Sequence, residues 1–204
     1  MKRLRIAVFI GLAVTGIYMQ YLSGVKADIE KSIVRLHVIA ASDSDYDQNL
    51  KIKVKDAVIG YLEDKLDSAQ DAEQTKEIIQ KELKGIAAAA KDELRKNGCN
   101  LGVTATLGNF AFPTKHYGDA RLPAGRYDAL RIIIGEGEGQ NWWCVLFPQL
   151  CFVNASGGTI SDEGKQKLKN VLTEEEYSLI ASSINGGMPV RIKFRLLELF
   201  GKKQ

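Results

Sequence analysis

The sequence predicts a single α+β domain, with long helices packed on one face of a mostly antiparallel sheet, behind an N-terminal targeting segment. Three observations carry this. No proline occurs between Asp28 and Phe112, and apolar residues recur there at helical spacing over two long stretches. From Leu101 the apolar period changes to two, the alternation of half-buried strands. Residues 1–27 stand apart, holding four of the 28 basic residues and none of the 25 acidic ones. The rest of the 204 residues then carries 24 basic against 25 acidic groups, so a strongly basic nucleic-acid binder is not expected. With 45% hydrophobic residues the composition is that of an ordinary globular protein.

Lys2, Arg3 and Arg5 form a positive n-region before the apolar run Ile6 to Met19. Val25 and Ala27 occupy the −3 and −1 positions of a small-residue cleavage site, which would make Asp28 the mature N-terminus. The alternative is a retained anchor, because the uncharged stretch Ile6–Val25 approaches the roughly 20 residues that span a bilayer. Either way the positive end stays inside and the body, residues 28–204, is exported. Membrane contact is then expected through this segment before any cleavage.

Val34, Leu36 and Val38 alternate with Arg35, His37 and Ile39 in a first strand. Ser44, with Asp47 three residues on, resembles a capping box that opens a helix. Leu50, Val54, Val58, Tyr61 and Leu62 share its apolar face, and Lys51, Lys53, Lys55 and Asp56 are expected in water. A second helix spans about Asp71 to Lys96, with Ile79, Leu83, Ile86, Ala90 and Leu94 in its stripe, and Asn97-Gly98 ends it. Leu101, Val103, Ala105 and Leu107 alternate in the next strand, and Leu130, Ile132 and Ile134 in another. In the strand after that, Trp142, Cys144 and Leu146 should face one way and Trp143, Val145 and Phe147 the other. Gly135 to Gln140 should join these last two strands as a hairpin loop. Thr173 caps a short helix with Glu174, Glu175 and Glu176 in its first turn. Asn185-Gly186-Gly187 stops it, and Val190 to Leu196 makes a final strand with Arg191, Lys193 and Arg195 on one side.

The chemistry is sparse. Asp43, Asp45 and Asp47 open like a calcium loop but lack its glycine and its closing glutamate, and read as helix-cap acids. The two histidines, His37 and His116, do not make a zinc site. His37 with Asp43 or Ser44 could supply parts of a hydrolytic triad, but no G-x-S-x-G accompanies them. Glu136 and Glu138 read as solvated loop charges. Adjacent Trp142 and Trp143 must face opposite sides of a sheet, so one can be core while the other either lies under a covering helix or is an exposed contact anchor. Cys144 and Cys151 flank Phe147-Pro148 and could pair in an oxidising compartment; the alternative is that they and Cys99 stay reduced. No cofactor, metal or small-molecule substrate is expected.

Two stretches carry a family resemblance. Arg35-Leu36-His37-Val38-Ile39-Ala40, followed by Ser42-Asp43-Ser44 and Asp47-Gln48, resembles the opening motif of the stage II sporulation protein R family. Phe112-Pro113-Thr114-Lys115, Tyr117-Gly118, Leu122-Pro123-Ala124-Gly125, Tyr127 and Ala129-Leu130-Arg131 resemble it further. The most specific part is Gly139-Gln140-Asn141-Trp142-Trp143-Cys144-Val145-Leu146-Phe147-Pro148 with Leu150-Cys151-Phe152. The resemblance runs from about Ile33 to Val153. It implies a signalling protein, not an enzyme: made in the forespore, exported to the space between forespore and mother-cell membranes, and there activating a membrane-embedded aspartic protease that matures a sporulation sigma factor. On that basis the contact surface is expected at the sheet end carrying Arg35, His37, Glu136, Glu138, Gln140, Asn141, Trp142 and Trp143. Two other classes remain open, an extracytoplasmic hydrolase using His37 and an envelope protein held by its N-terminal anchor.

Overall fold

The computed structural model describes residues 1–117, 120–151 and 162–182. Among these, five helices and six strands follow one another: α1 (Lys2–Ser32), β1 (Val34–Ile39), α2 (Asp45–Leu66), α3 (Ala72–Lys96), β2 (Val103–Phe112), β3 (Lys115–Tyr117), β4 (Ala120–Leu122), β5 (Gly125–Ile134), β6 (Asn141–Phe147), α4 (Asp162–Val171) and α5 (Glu174–Ser182). The expected strand over Val190–Leu196 and the stop at Asn185-Gly186-Gly187 lie outside the described residues.

The helix ends follow local chemistry. Ser44 Oγ accepts from the Asp47 amide at 3.2 Å, satisfying one of the orphan donors at the start of α2. Asp71 does the same for Gln74 at 2.8 Å. Thr173 and Glu176 close a full capping box, hydroxyl to amide at 3.3 Å and carboxylate to amide at 2.6 Å. Gly98, at φ 74°, takes the left-handed position that ends α3 and that a side chain would disfavour.

The main sheet is α+β and mixed, in the order β2-β5-β1-β6, with β1 parallel to β5 and antiparallel to β6. β3 and β4 form a separate pair. Three expectations need correction. The segment Gly135–Gln140 is not a hairpin loop, because β1 sits between β5 and β6; it crosses the end of β1 instead. Helices do not keep to one face. α2 and α3 cover one side with Leu50, Val54, Val58, Leu62, Ile79, Ile86 and Leu94. The end of α1, the β3–β4 pair, α4 and α5 cover part of the other with Ile29, Leu122, Leu168, Leu172 and Ile180. Finally, a register shift between Val34 and Arg35 pairs Val34 with Phe147 and Arg35 with Val145. A bulge of this kind inserts a residue and flips the side-chain alternation, so Phe147 packs with Leu146 under α2 and α3, away from Val145.

α1 is exposed along its apolar first part and is long and apolar enough to cross a membrane. It runs through Ala27 without a break, and its last turn enters the core through Ile29, fully buried like Ile33 just after it. The expected boundary at residues 27/28 therefore falls inside a helix whose end belongs to the domain.

Candidate functional site

The strand register sets Thr106, Arg131, His37 and Trp143 side by side in one row across β2, β5, β1 and β6. Laterally paired residues project to the same side of a sheet, here the side away from α2 and α3. The neighbouring row is Thr104, Ile133, Ile39 and Asn141. Toward that end the covering elements thin out: Asn141 and Thr104 are exposed, and Arg131, Ile133, Ile39 and Trp143 are half-buried.

His37, 7% exposed, stacks on Trp143 with ring centroids 3.8 Å apart and 15° between planes. Its Nε2 lies 2.6 Å from Asn141 Oδ1, and Phe112 meets its edge at 5.9 Å. Burial pushes the imidazole pKa below its ordinary 6.5; the Asn141 bond opposes this, and the charges of Arg131 and Arg35 reinforce it. The ring is therefore neutral at neutral pH. With Oδ1 accepting, Nε2 carries the proton and Nδ1 is a bare acceptor, buried with no partner among the described residues.

Arg35 is fully buried. Nε donates to the Cys144 carbonyl at 2.9 Å and Nη2 to the Tyr117 hydroxyl at 2.8 Å, which itself donates to the Trp143 carbonyl at 3.3 Å. The guanidinium sits over the rings of Phe112 at 4.5 Å and Tyr127 at 5.1 Å. Aromatic faces supply negative potential where a carboxylate would be usual. Burial lowers the Arg35 pKa and pushes the Tyr127 phenol up to about 12. Arg131 lies over Phe110 at 4.0 Å, and Lys115 over Trp143 at 5.9 Å. Among the described residues no carboxylate forms an ion pair with Arg35 or Arg131.

The other candidates are dispersed. Trp142 lies on the opposite sheet face, packed against the core under α2 with Lys55 Nζ 4.8 Å from its ring. Glu136 and Glu138 are exposed in the crossing loop. Gln140 is held by its backbone: its amide donates to Asp43 Oδ1 at 2.8 Å and its carbonyl accepts from Lys51 Nζ at 3.1 Å. Lys51 is buried, 5% exposed, against the expectation of a solvated face, because it ties α2 to this loop. Gly139 donates to the Ala40 carbonyl at 2.9 Å, and a Cβ there would be driven into the Ser42 carbonyl.

The hydrolase constellation is not assembled. Asp43 holds Gln140, Ser44 caps α2, and His37 binds Asn141. Cys144 and Cys151 are joined, with Cα atoms 5.9 Å apart, and Cys99 is free and buried. Among the described residues no three His, Cys, Asp or Glu side chains are grouped to hold a metal. From the sequence, Phe112, Tyr117 and Arg131 read only as residues of the family resemblance, and Thr106 only as a strand position, none of them as contact candidates. The usable signal was Arg131, a cation inside Ala129 to Ile134, a run otherwise apolar on both sides.

Comparison with known proteins places these residues in context. The profile of stage II sporulation protein R (spore_II_R) matches residues 30–157, which include every residue of the row. Stage II sporulation protein R of Bacillus subtilis (strain 168) is 40% identical over 139 residues, covering 68% of this chain and 62% of its own length. The chain thus spans just under two thirds of that curated relative. No solved structure matches.

Proposed function

The chain belongs to the stage II sporulation protein R family, and from that premise we propose that it is an exported forespore signal that activates a membrane-embedded aspartic protease of the mother cell and so triggers maturation of a sporulation sigma factor. It acts by binding, not by catalysis. The protease has an active and an inactive arrangement, and the signal favours the active one by binding it more tightly. The observation that supports this most is the row Thr106–Arg131–His37–Trp143, which offers an aromatic, cationic face with polar atoms that have no partner among the described residues. The apolar exposed part of α1 supports export, as a cleaved signal or a retained anchor.

The test is reconstitution in a non-sporulating host. The receptor protease and the sigma-factor precursor are expressed with and without this exported chain, and precursor cleavage is blotted. Cleavage that requires this chain and survives Asp43→Asn and Ser44→Ala supports a binding activator. Absence of cleavage with folded, exported protein overturns the reading.

A further inference from the structure

Five buried side-chain nitrogen or oxygen atoms lack a hydrogen-bond partner among the described residues: Arg35 Nη1, His37 Nδ1, Thr106 Oγ1, Arg131 Nε and Trp142 Nε1. Four of the five project from one face of the sheet, three of them from a single register row. Buried polar atoms are ordinarily satisfied, and each orphan is destabilising. Scattered orphans need no common cause, but a cluster on one half-open face does. The same face holds two guanidiniums without an ion-pair partner among the described residues, one of them fully buried. The whole mature chain is near neutral, so this local excess of positive charge is a property of the face.

We propose that the open end of this face is the docking surface for an acidic, extended peptide segment of the protein partner, with a carboxylate on Arg131 and backbone groups along Thr104 and Asn141. The inference rests on the binding-activator reading above and names the chemistry of what is bound. Charge complementarity selects the occupant: guanidinium favours carboxylate in paired geometry. A peptide also carries what a simple anion lacks. At the open end of the face exposed Asn141 and Thr104 flank half-buried Arg131, so donors and acceptors are both on offer, and a peptide backbone alternates the two. Trp143, half-buried and stacked on His37, supplies the flat apolar contact beside them.

The experiment uses the full chain in a neutral detergent, followed by NMR of its two indole N–H signals. The probes are an acetylated, amidated Gly-Glu-Glu-Gly peptide, its Gly-Gln-Gln-Gly counterpart and inorganic phosphate. The acidic peptide should move the Trp143 signal and leave Trp142, on the other face, in place. The Gln peptide should bind at least about tenfold more weakly, and Arg131→Gln should remove that difference. No movement of Trp143 up to about 10 mM acidic peptide, a range that detects dissociation constants up to the millimolar scale, overturns the proposal. Equal response to phosphate overturns it too, since the face would then be a general anion site. In the reconstituted system Arg131→Gln should lose activation while Asp43→Asn keeps it. If wild type fails to activate there, the functional reading falls, but the peptide titration still decides what this face binds.

Discussion

The two faces of the four-stranded sheet are made by the same strands and differ in what completes them. Under α2 and α3, Leu36, Val38, Leu130 and Ile132 meet aliphatic helix residues and are fully buried. On that face one buried polar side-chain atom, Trp142 Nε1, lacks a partner among the described residues. On the other side Arg35, His37, Arg131 and Thr106 stand among Phe112, Tyr127 and Trp143 with four polar atoms unsatisfied among the described residues. A closed apolar layer contributes stability. A half-covered layer of cations and aromatics costs stability, and in the function proposed above it would serve recognition.

Paired substitutions test that division, and the largest effect belongs to the closed face. Leu36→Ala deletes a fully buried side chain between sheet and helices and should cost about 2–5 kcal/mol in urea unfolding. Arg35→Met, one residue away on the other face, should cost clearly less, because the cation it removes has no carboxylate to leave behind. It should nevertheless abolish activation. Equal destabilisation by the two would erase the contrast.

Next come the tryptophans, adjacent in sequence and opposite in space. Trp143→Ala should lose about 2 kcal/mol or more of receptor binding, read by titration, as expected for a central aromatic anchor. Trp142→Ala should instead lower the unfolding midpoint and leave binding intact, since its ring packs against the core and Lys55. The reverse pattern would move the contact surface to the helical face. Gly139→Ala follows: the added methyl must displace the Ser42 carbonyl, costing about 1–3 kcal/mol by overpacking. The displacement should also shift the Asn141–His37 pair through the chain, so both stability and binding fall.

How much of this the sequence disclosed depends on range. Ser44, Asp71, Gly98 and Thr173 act within a few residues of where they stand, and their caps were readable. The apolar stripes of α2 and α3 were readable for the same reason. Strand order was not. The sequence shows Gly135 to Gln140 between two strands and nothing about β1 entering between them. The Val34/Arg35 register shift, which turns Phe147 over, is equally invisible to a count of alternate residues. Lys51 reads as solvent-facing until the loop it binds is folded onto it. The site itself was half legible: His37, Asn141 and Trp143 come together as expected, whereas Arg131 joins them only through parallel pairing of β1 with β5, a contact between residues far apart in the chain.

The smallest effect concerns pH and isolates the open face. His37 is buried against Trp143 and Phe112, bonded to Asn141, with Arg131 and Arg35 as the facing charges, and its pKa is held below 6.5. In the unfolded chain the same imidazole takes a proton as pH falls through its ordinary value. The unfolded state then binds more protons than the folded one, so stability declines as pH drops below about 6.5 and levels off once the folded ring also protonates. Above that range His37 contributes no pH dependence. A His37→Gln variant, which retains His116, should unfold with a flatter profile between neutral pH and pH 5 by urea titration. An identical slope in the two proteins would mean that the imidazole is not held neutral by this face, and would remove His37 from the set of groups awaiting a partner.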